Sequence, residues 1–353
     1  MKICVIGGGN IGTLIAAESA YNGYETFVYS SRAREWGKEI DVYSSDDEYL
    51  FTGGHVTATD QIIEAVEGAS YIFVTVPSQI FPDIANELYG ILKPGQCIIA
   101  VPGFGGAEFA FSEIIKLGVD FFGMSRVHSI ARLKENGRSV FMLGRKSSLE
   151  TAAIPNSESS RAATFLNDFF KTDTKTLPNY LNVTLTPSNP ILHTTRLYSM
   201  FSRFSPDHQF DRNIPFYEEW DEKTSKYILA CDSELTELCD TIPMDLSGVV
   251  PLHIYYERDT AEGLTEKIRG ISAFRGLSSP MKKVGDNWCI DWGSRYFTAD
   301  FCYGLKILID IADLFDVNVD TMREIWDWYR KTANPDKYFS LNMSKREFLD
   351  MYR

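Results

Sequence analysis

At 353 residues the chain is long enough for two domains, each able to bury its own core. Hydrophobic residues at 44% and charged residues at 24% are ordinary for a soluble globular protein and imply neither disorder nor a membrane span. A formal net charge of -13 argues against nucleic-acid and anionic-membrane partners, because both would be repelled.

The six cysteines (Cys4, Cys97, Cys231, Cys239, Cys289, Cys302) form no CxxC pair, and Cys4 and Cys97 lie in apolar runs. They read as small buried hydrophobes in a reducing compartment, not as a disulfide framework or a metal site. The N-terminus carries no apolar segment suited to a signal peptide, so a cytoplasmic location is expected.

Residues 2–6 form a short apolar run, followed by Gly7-Gly8-Gly9-Asn10-Ile11-Gly12, a helical pattern over 13–22 and a second strand over 26–29. Strand, GxGxxG, helix and strand in this order predict a dinucleotide-binding turn. Gly7 permits the tight turn, Gly9 lets the backbone approach a pyrophosphate, and Gly12 lets the helix pack closely on the strand. The helix start, at Asn10 and Ile11, then offers free amides and a partial positive charge to the phosphates. The second strand ends in Tyr29-Ser30-Ser31-Arg32, without the Asp or Glu that usually accepts from an NAD ribose. The hydroxyls of Ser30 and Ser31 and the guanidinium of Arg32 suit a 2′-phosphate, so NADP is favoured over NAD.

The strand–helix alternation continues. A strand over 71–76 ends at Pro77-Ser78, a helix follows through Leu92, and a strand over 97–101 ends at Pro102-Gly103-Phe104-Gly105-Gly106. A parallel sheet places such ends along one edge, where ligands bind, so Thr75, Val76, Pro77, Gly103 and Gly105 are candidate cofactor neighbours. Residues 121–123 and 139–144 read as further strands. The segment between them, Arg126 to Arg132 with His128, reads as a solvated connection more than as a cleft lining. A helix near 160–171 and an apolar stretch over 180–185 complete a first domain, 1–186, of α/β Rossmann type with a doubly wound, mainly parallel sheet.

Two prolines with Ser188 or Asn189 mark a linker running into a helix start. His193 falls on its first turn, and Arg196 shares its face. An imidazole at a domain seam beside a fixed charge is a candidate proton donor; a histidine satisfied by a backbone carbonyl is the plainer alternative. The second domain, 187–353, is expected to be mostly α-helical, with helices over 223–238, 262–271, 305–315 and 321–330, the last capped by Asp320. Residues 204–220 are aromatic, proline-bearing and irregular, a candidate cleft loop. A second concentration of chemistry lies in Ile290 to Gly304, where Arg295 and Asp300 sit near a helix entry among aromatics that would exclude water. An Arg295–Asp300 salt bridge is the plainer alternative for that pair.

Together these pieces resemble the opine (octopine/nopaline) dehydrogenase family over nearly the whole chain, most specifically at Asn189-Pro190-Ile191-Leu192-His193 and Arg295-Tyr296-Phe297-Thr298-Ala299-Asp300. The resemblance implies an NAD(P)H-dependent oxidoreductase that condenses the amine of an amino acid with a 2-oxo acid and reduces the imine. It implies His193 as the catalytic acid/base, Asp300 as the group that orients and charges it, and Arg295 as the binder of the oxo-acid carboxylate. Gly103 to Gly106 look like the family's glycine-rich turn on the nicotinamide side, with Phe104 replacing its usual polar residue. Residues 124–131 hold no carboxylate to receive a guanidinium, which argues against arginine as the amine.

Chemistry independent of the resemblance points the same way. Reducing C=N or C=O requires a hydride on carbon and a proton on the heteroatom, and a carboxylate beside an imidazole favours the protonated ring and fixes its tautomer. An Arg fork would hold the oxo acid by its carboxylate. The rival readings are a ketopantoate-reductase-like 2-oxo acid reductase, which usually relies on a lysine missing from the His193 stretch, and a non-catalytic NADP-binding sensor. A homodimer stays open, because the aromatic residues of the second half can cover either a cleft or a partner.

Overall fold

In the computed structural model, which describes residues 1–353, the chain packs as two compact units. One comprises Met1–Thr184 with Asp350–Arg353, the other Leu185–Leu349.

The first unit contains strands β1 (Lys2–Ile6), β2 (Glu25–Tyr29), β3 (Glu39–Tyr43), β4 (Tyr49–Gly54), β5 (Val56–Thr59), β6 (Ala69–Val74), β7 (Cys97–Ala100), β8 (Asp120–Met124), β9 (Ser129–Glu135), β10 (Ser139–Arg145), β11 (Ser148–Ile154) and β12 (Asp173–Thr176). Eight of these form one sheet, in the order β12-β11-β8-β7-β6-β1-β2-β5. Every neighbouring pair is parallel except β8 with β11. The chain winds outward from β1 through β2 to β5, then returns to β6 on the other side of β1. This makes the β1/β6 border the topological switch point at which such sheets bind ligands. Strands β1, β6 and β7 are covered on both faces, so they are near-continuous apolar runs without alternation. Helix α1 (Asn10–Tyr21) contributes Leu14, Ile15 and Ala17 to the core around Val5, Phe73, Ile99 and Phe169.

A second sheet, β4-β3-β10-β9, lies against α1. It corrects the expectation that Arg126 to Arg132 is a solvated connection, because Ser129 begins β9 and His128 is wholly buried. Buried Glu18 and His128 face each other here and Arg145 reaches Glu18, which hides the strand from an apolar-period reading. His128 Nε2 lies 2.9 Å from Glu18 Oε2, and Arg145 Nη1 lies 2.5 Å from Glu18 Oε1. Burial alone would raise the Glu18 carboxyl, but His128 and Arg145 hold it below the usual carboxylate value.

In the second unit the helix Asn189–Phe201 is central, with every residue from Pro190 onward buried. Its hydroxyls satisfy themselves on the preceding turn, as Thr194 donates to the Pro190 carbonyl at 2.6 Å and Thr195 to Ile191 at 2.7 Å. Around it stand helices Glu222–Thr241, Ala261–Gly270, Lys306–Phe315 and Asp320–Ala333, with an antiparallel hairpin, β13 (Met281–Val284) and β14 (Asn287–Ile290). Asp320 does not cap the helix it begins. The cap comes from Glu234, whose carboxylate accepts from Thr321 N at 2.6 Å and Met322 N at 3.1 Å. A cap supplied from a distant helix leaves no local sequence signal. No helix is long and apolar enough to cross a membrane.

Candidate active site

The glycine turn of the first unit is shaped by three constraints. Gly7 has φ +111°, where a side chain would be strained, and a Cβ there would come 2.8 Å from Thr75 Oγ1. A Cβ on Gly12 would overlap the Gly7 carbonyl oxygen. Gly9 differs: a Cβ there would meet nothing within 4 Å, so its smallness serves no packing of the protein itself. Thr75 ties the turn to the end of β6, donating to the carbonyls of Ile6 and Gly7 at 3.1 Å each. Helix α1 opens with no side-chain cap and no acidic residue in its first turn, leaving the amides at Asn10, Ile11 and Gly12 and their partial positive charge unopposed. An open glycine facing an uncapped helix start at a switch point fits a dinucleotide pyrophosphate.

The other expected cofactor residues divide. Ser31 and Arg32 are exposed beyond the tip of β2, and Arg32 makes only a loose 3.9 Å contact with Glu35. Ser30 is buried and accepts from Arg32 N at 3.2 Å, so it shapes the turn that presents them. Asn10 spends its side-chain oxygen on Leu133 N, at 2.9 Å. Val76 packs near Gly7 and Pro77 is exposed. Gly105 has φ +85°, as its turn requires, whereas Gly103 is small because Tyr180 Oη and Gly123 Cα would press on a Cβ at 2.8 Å.

In the second unit His193 and Asp300 meet. The carboxylate can only accept, so Nδ1–H donates to Asp300 Oδ2 at 2.8 Å and the ring tautomer is set. Both side chains are about 5% exposed. The opposite nitrogen, Nε2, lies 2.9 Å from the hydroxyl of Tyr217, a partner the sequence did not single out. The ring of Tyr296 packs 4.5 Å from the imidazole and Phe216 meets it edge-on at 5.5 Å. Asp300 is the first residue of a π-helical turn, Asp300–Leu305, a widened geometry that recurs at functional sites.

Arg295 makes no salt bridge to Asp300, because the imidazole takes that carboxylate. Its exposed guanidinium lies 5.2 Å over the ring of Tyr296, the ring that covers His193, and makes no ion pair. Arg196 plays a different part from the one its spacing suggested. Its guanidinium donates to the carbonyls of Phe216 at 3.0 Å and Glu219 at 2.7 Å and lies over Trp220, fixing the loop that carries Tyr217. Burial lowers its pKa to about 10.

Residues 176–333 match the family model described as NAD/NADP octopine/nopaline dehydrogenase, alpha-helical domain. Residues 2–118 match the N-terminus of NAD-dependent glycerol-3-phosphate dehydrogenase. The chain is 24% identical to octopine dehydrogenase of Mizuhopecten yessoensis over 93% of its own length and 89% of the relative's. It is 22% identical to tauropine dehydrogenase of Arabella iricolor, over 93% and 90%. Among solved structures, octopine dehydrogenase with NADH and L-arginine superposes with a TM-score of 0.82 at 22% identity, covering 95% of this chain and 90% of that one. Residues 176–333 thus carry the alpha-helical domain of the NAD/NADP octopine/nopaline dehydrogenases, behind a Rossmann-type first unit, and octopine and tauropine dehydrogenases are similar to the chain over nearly its whole length.

Proposed function

We propose that this protein is an NAD(P)H-dependent opine dehydrogenase that joins the amine of an amino acid to a 2-oxo acid and reduces the resulting imine. The observation that carries the reading is the buried His193–Asp300 pair beside a guanidinium, Arg295, that has no ion-pair partner. When bound, the reduced nicotinamide supplies the hydride. His193 holds the proton the substrate nitrogen needs, Asp300 keeps the ring oriented, and Arg295 takes the oxo-acid carboxylate so that one face of the imine is presented. NADP is favoured over NAD because Ser31 and Arg32 stand exposed beyond the tip of β2, where residues 29–32 include no carboxylate. A cytoplasmic location belongs to this proposal on sequence grounds.

The test is oxidation of NADPH and NADH against a matrix of amino acids and 2-oxo acids, with mass spectrometry of the product. A secondary-amine dicarboxylate is the expected product. A hydroxy acid formed without any amine would instead make the protein a 2-oxo acid reductase.

A further inference from the structure

We propose that the hydroxyl of Tyr217 hands the proton to the substrate nitrogen, and that His193 reloads it from behind. This rests on the imine reduction proposed above and adds a catalytic residue to it.

Both nitrogens of His193 are engaged, Nδ1 by Asp300 at 2.8 Å and Nε2 by Tyr217 Oη at 2.9 Å. The ring is covered by Tyr296 and flanked by Phe216. A proton leaving Nε2 therefore has one direction to take, towards the Tyr217 oxygen. Nor is Tyr217 free to swing aside. Its ring stacks on Phe274 at 4.1 Å and 17° and lies parallel to Trp220. Its backbone is pinned by Arg196 through the carbonyls of Phe216 and Glu219 and by the Phe216 N–H on Leu277 O at 2.8 Å. A group held by both ring and backbone suits transfer through it better than displacement of it.

The step balances. The imine carbon takes a hydride from the reduced nicotinamide, which is oxidised as the imine is reduced. The electron pair released onto nitrogen captures the Tyr217 O–H proton and forms N–H. The Tyr217 oxygen takes the Nε2 proton of the imidazolium, which is left neutral with Nδ1–H still on Asp300, and solvent later restores one proton. Burial, with Tyr296, Tyr256 and Asp300 adding to it, pushes the Tyr217 hydroxyl far above the usual phenol range, and Arg295 opposes. A tyrosinate is thus no resting point, and both protons move together.

Tyr217→Phe keeps the stacked ring and removes only the hydroxyl. The expected result is a kcat lower by about 10²–10⁴-fold with cofactor affinity and KM for the oxo acid unchanged. In mixtures of light and heavy water, the wild-type enzyme should show a curved proton inventory, reporting two protons in flight. A Phe variant as fast as wild type, or a linear inventory, overturns the relay and leaves the hydroxyl a mere cap on Nε2. Should the variant fail to fold, the wild-type inventory decides alone. A wild type that turns over no amine and oxo-acid pair overturns the reduction itself, an outcome distinct from an active wild type matched by its Phe variant.

Discussion

The Asp300 carboxylate reaches Nδ1 of His193 at 2.8 Å although 107 residues separate them, and it does so from the first residue of a π-helical turn. The pairing fixes the ring tautomer, since the carboxylate claims Nδ1–H, and in the proposed reaction it leaves Nε2 as the exchanging site. Asp300→Asn keeps the shape and removes the charge. Its kcat should fall by about 10²–10⁴-fold, with NAD(P)H binding unchanged by fluorescence titration. Unaltered turnover would deny the dyad a role.

Arg295 offers a fork that lysine lacks. Arg295→Lys should raise KM for the 2-oxo acid by about tenfold or more while the amino-acid KM and cofactor affinity hold, because a bidentate charge-assisted pair becomes a point contact. A variant whose losses fall on the amine substrate instead would move Arg295 to that end of the reaction.

The proposed preference for NADP turns on one guanidinium. Arg32→Ala should weaken NADPH binding by about 10–100-fold, the worth of a hydrogen bond to a charged group, and leave NADH nearly untouched. Equal losses for the two cofactors would refute the phosphate assignment. The exposed Glu35 near Arg32 makes the comparison worth running at more than one ionic strength.

Two glycines of the same turn should behave oppositely. A Cβ on Gly9 meets no protein atom within 4 Å, so Gly9→Ala should leave the midpoint of denaturant unfolding almost unmoved and abolish tight cofactor binding. A Cβ on Gly12 collides with the Gly7 carbonyl, so Gly12→Ala should lower stability itself. Loss of stability in both variants would mean that Gly9 serves packing after all.

Glu108, in the first unit, is wholly buried; its Oε1 accepts from the hydroxyls of Thr184 and Tyr352 and its Oε2 meets no partner. Burial pushes its carboxyl up from 4.5 to about 7, against the pull of those donors. The fold therefore prefers the protonated acid. Its stabilisation is complete below about pH 4.5, declines as pH rises and is gone above about pH 7, a span of about 3 kcal/mol. Urea unfolding at pH 5 and pH 8 should give a smaller difference for Glu108→Gln than for wild type. An identical difference would show that Glu108 does not titrate in this window.

Much of the first unit could be read from the chain because its signals are local. The glycine turn, the apolar runs of β1, β6 and β7 and the helix after each strand follow from neighbours a few residues apart. His193, Asp300 and Arg295 stood out through their motifs; the resemblance paired Asp300 with the imidazole, residue types alone left an Arg295–Asp300 bridge open, and Asp300 lies on His193. Tyr217 was hidden for a physical reason: it lies in an irregular loop whose course is set by Arg196, and no periodicity connects a loop hydroxyl to a helix nitrogen. The second sheet was missed where Glu18, His128 and Arg145 satisfy one another in the interior, since charges normally mark solvent. The Glu234 cap escaped for the same reason, as its donor and acceptor belong to different helices.

The widened turn at Asp300–Leu305 holds one residue more than an ordinary helical turn would. Deleting a single residue within it would let the segment regularise, with the helix Lys306–Phe315 still anchored by its buried face. Each residue of an α-helix advances about 100° around the axis, so Asp300 would be carried off the side that faces the imidazole. A better-formed helix would then leave His193 without its carboxylate partner, which makes this local irregularity a condition of the proposed turnover and its length intolerant of change.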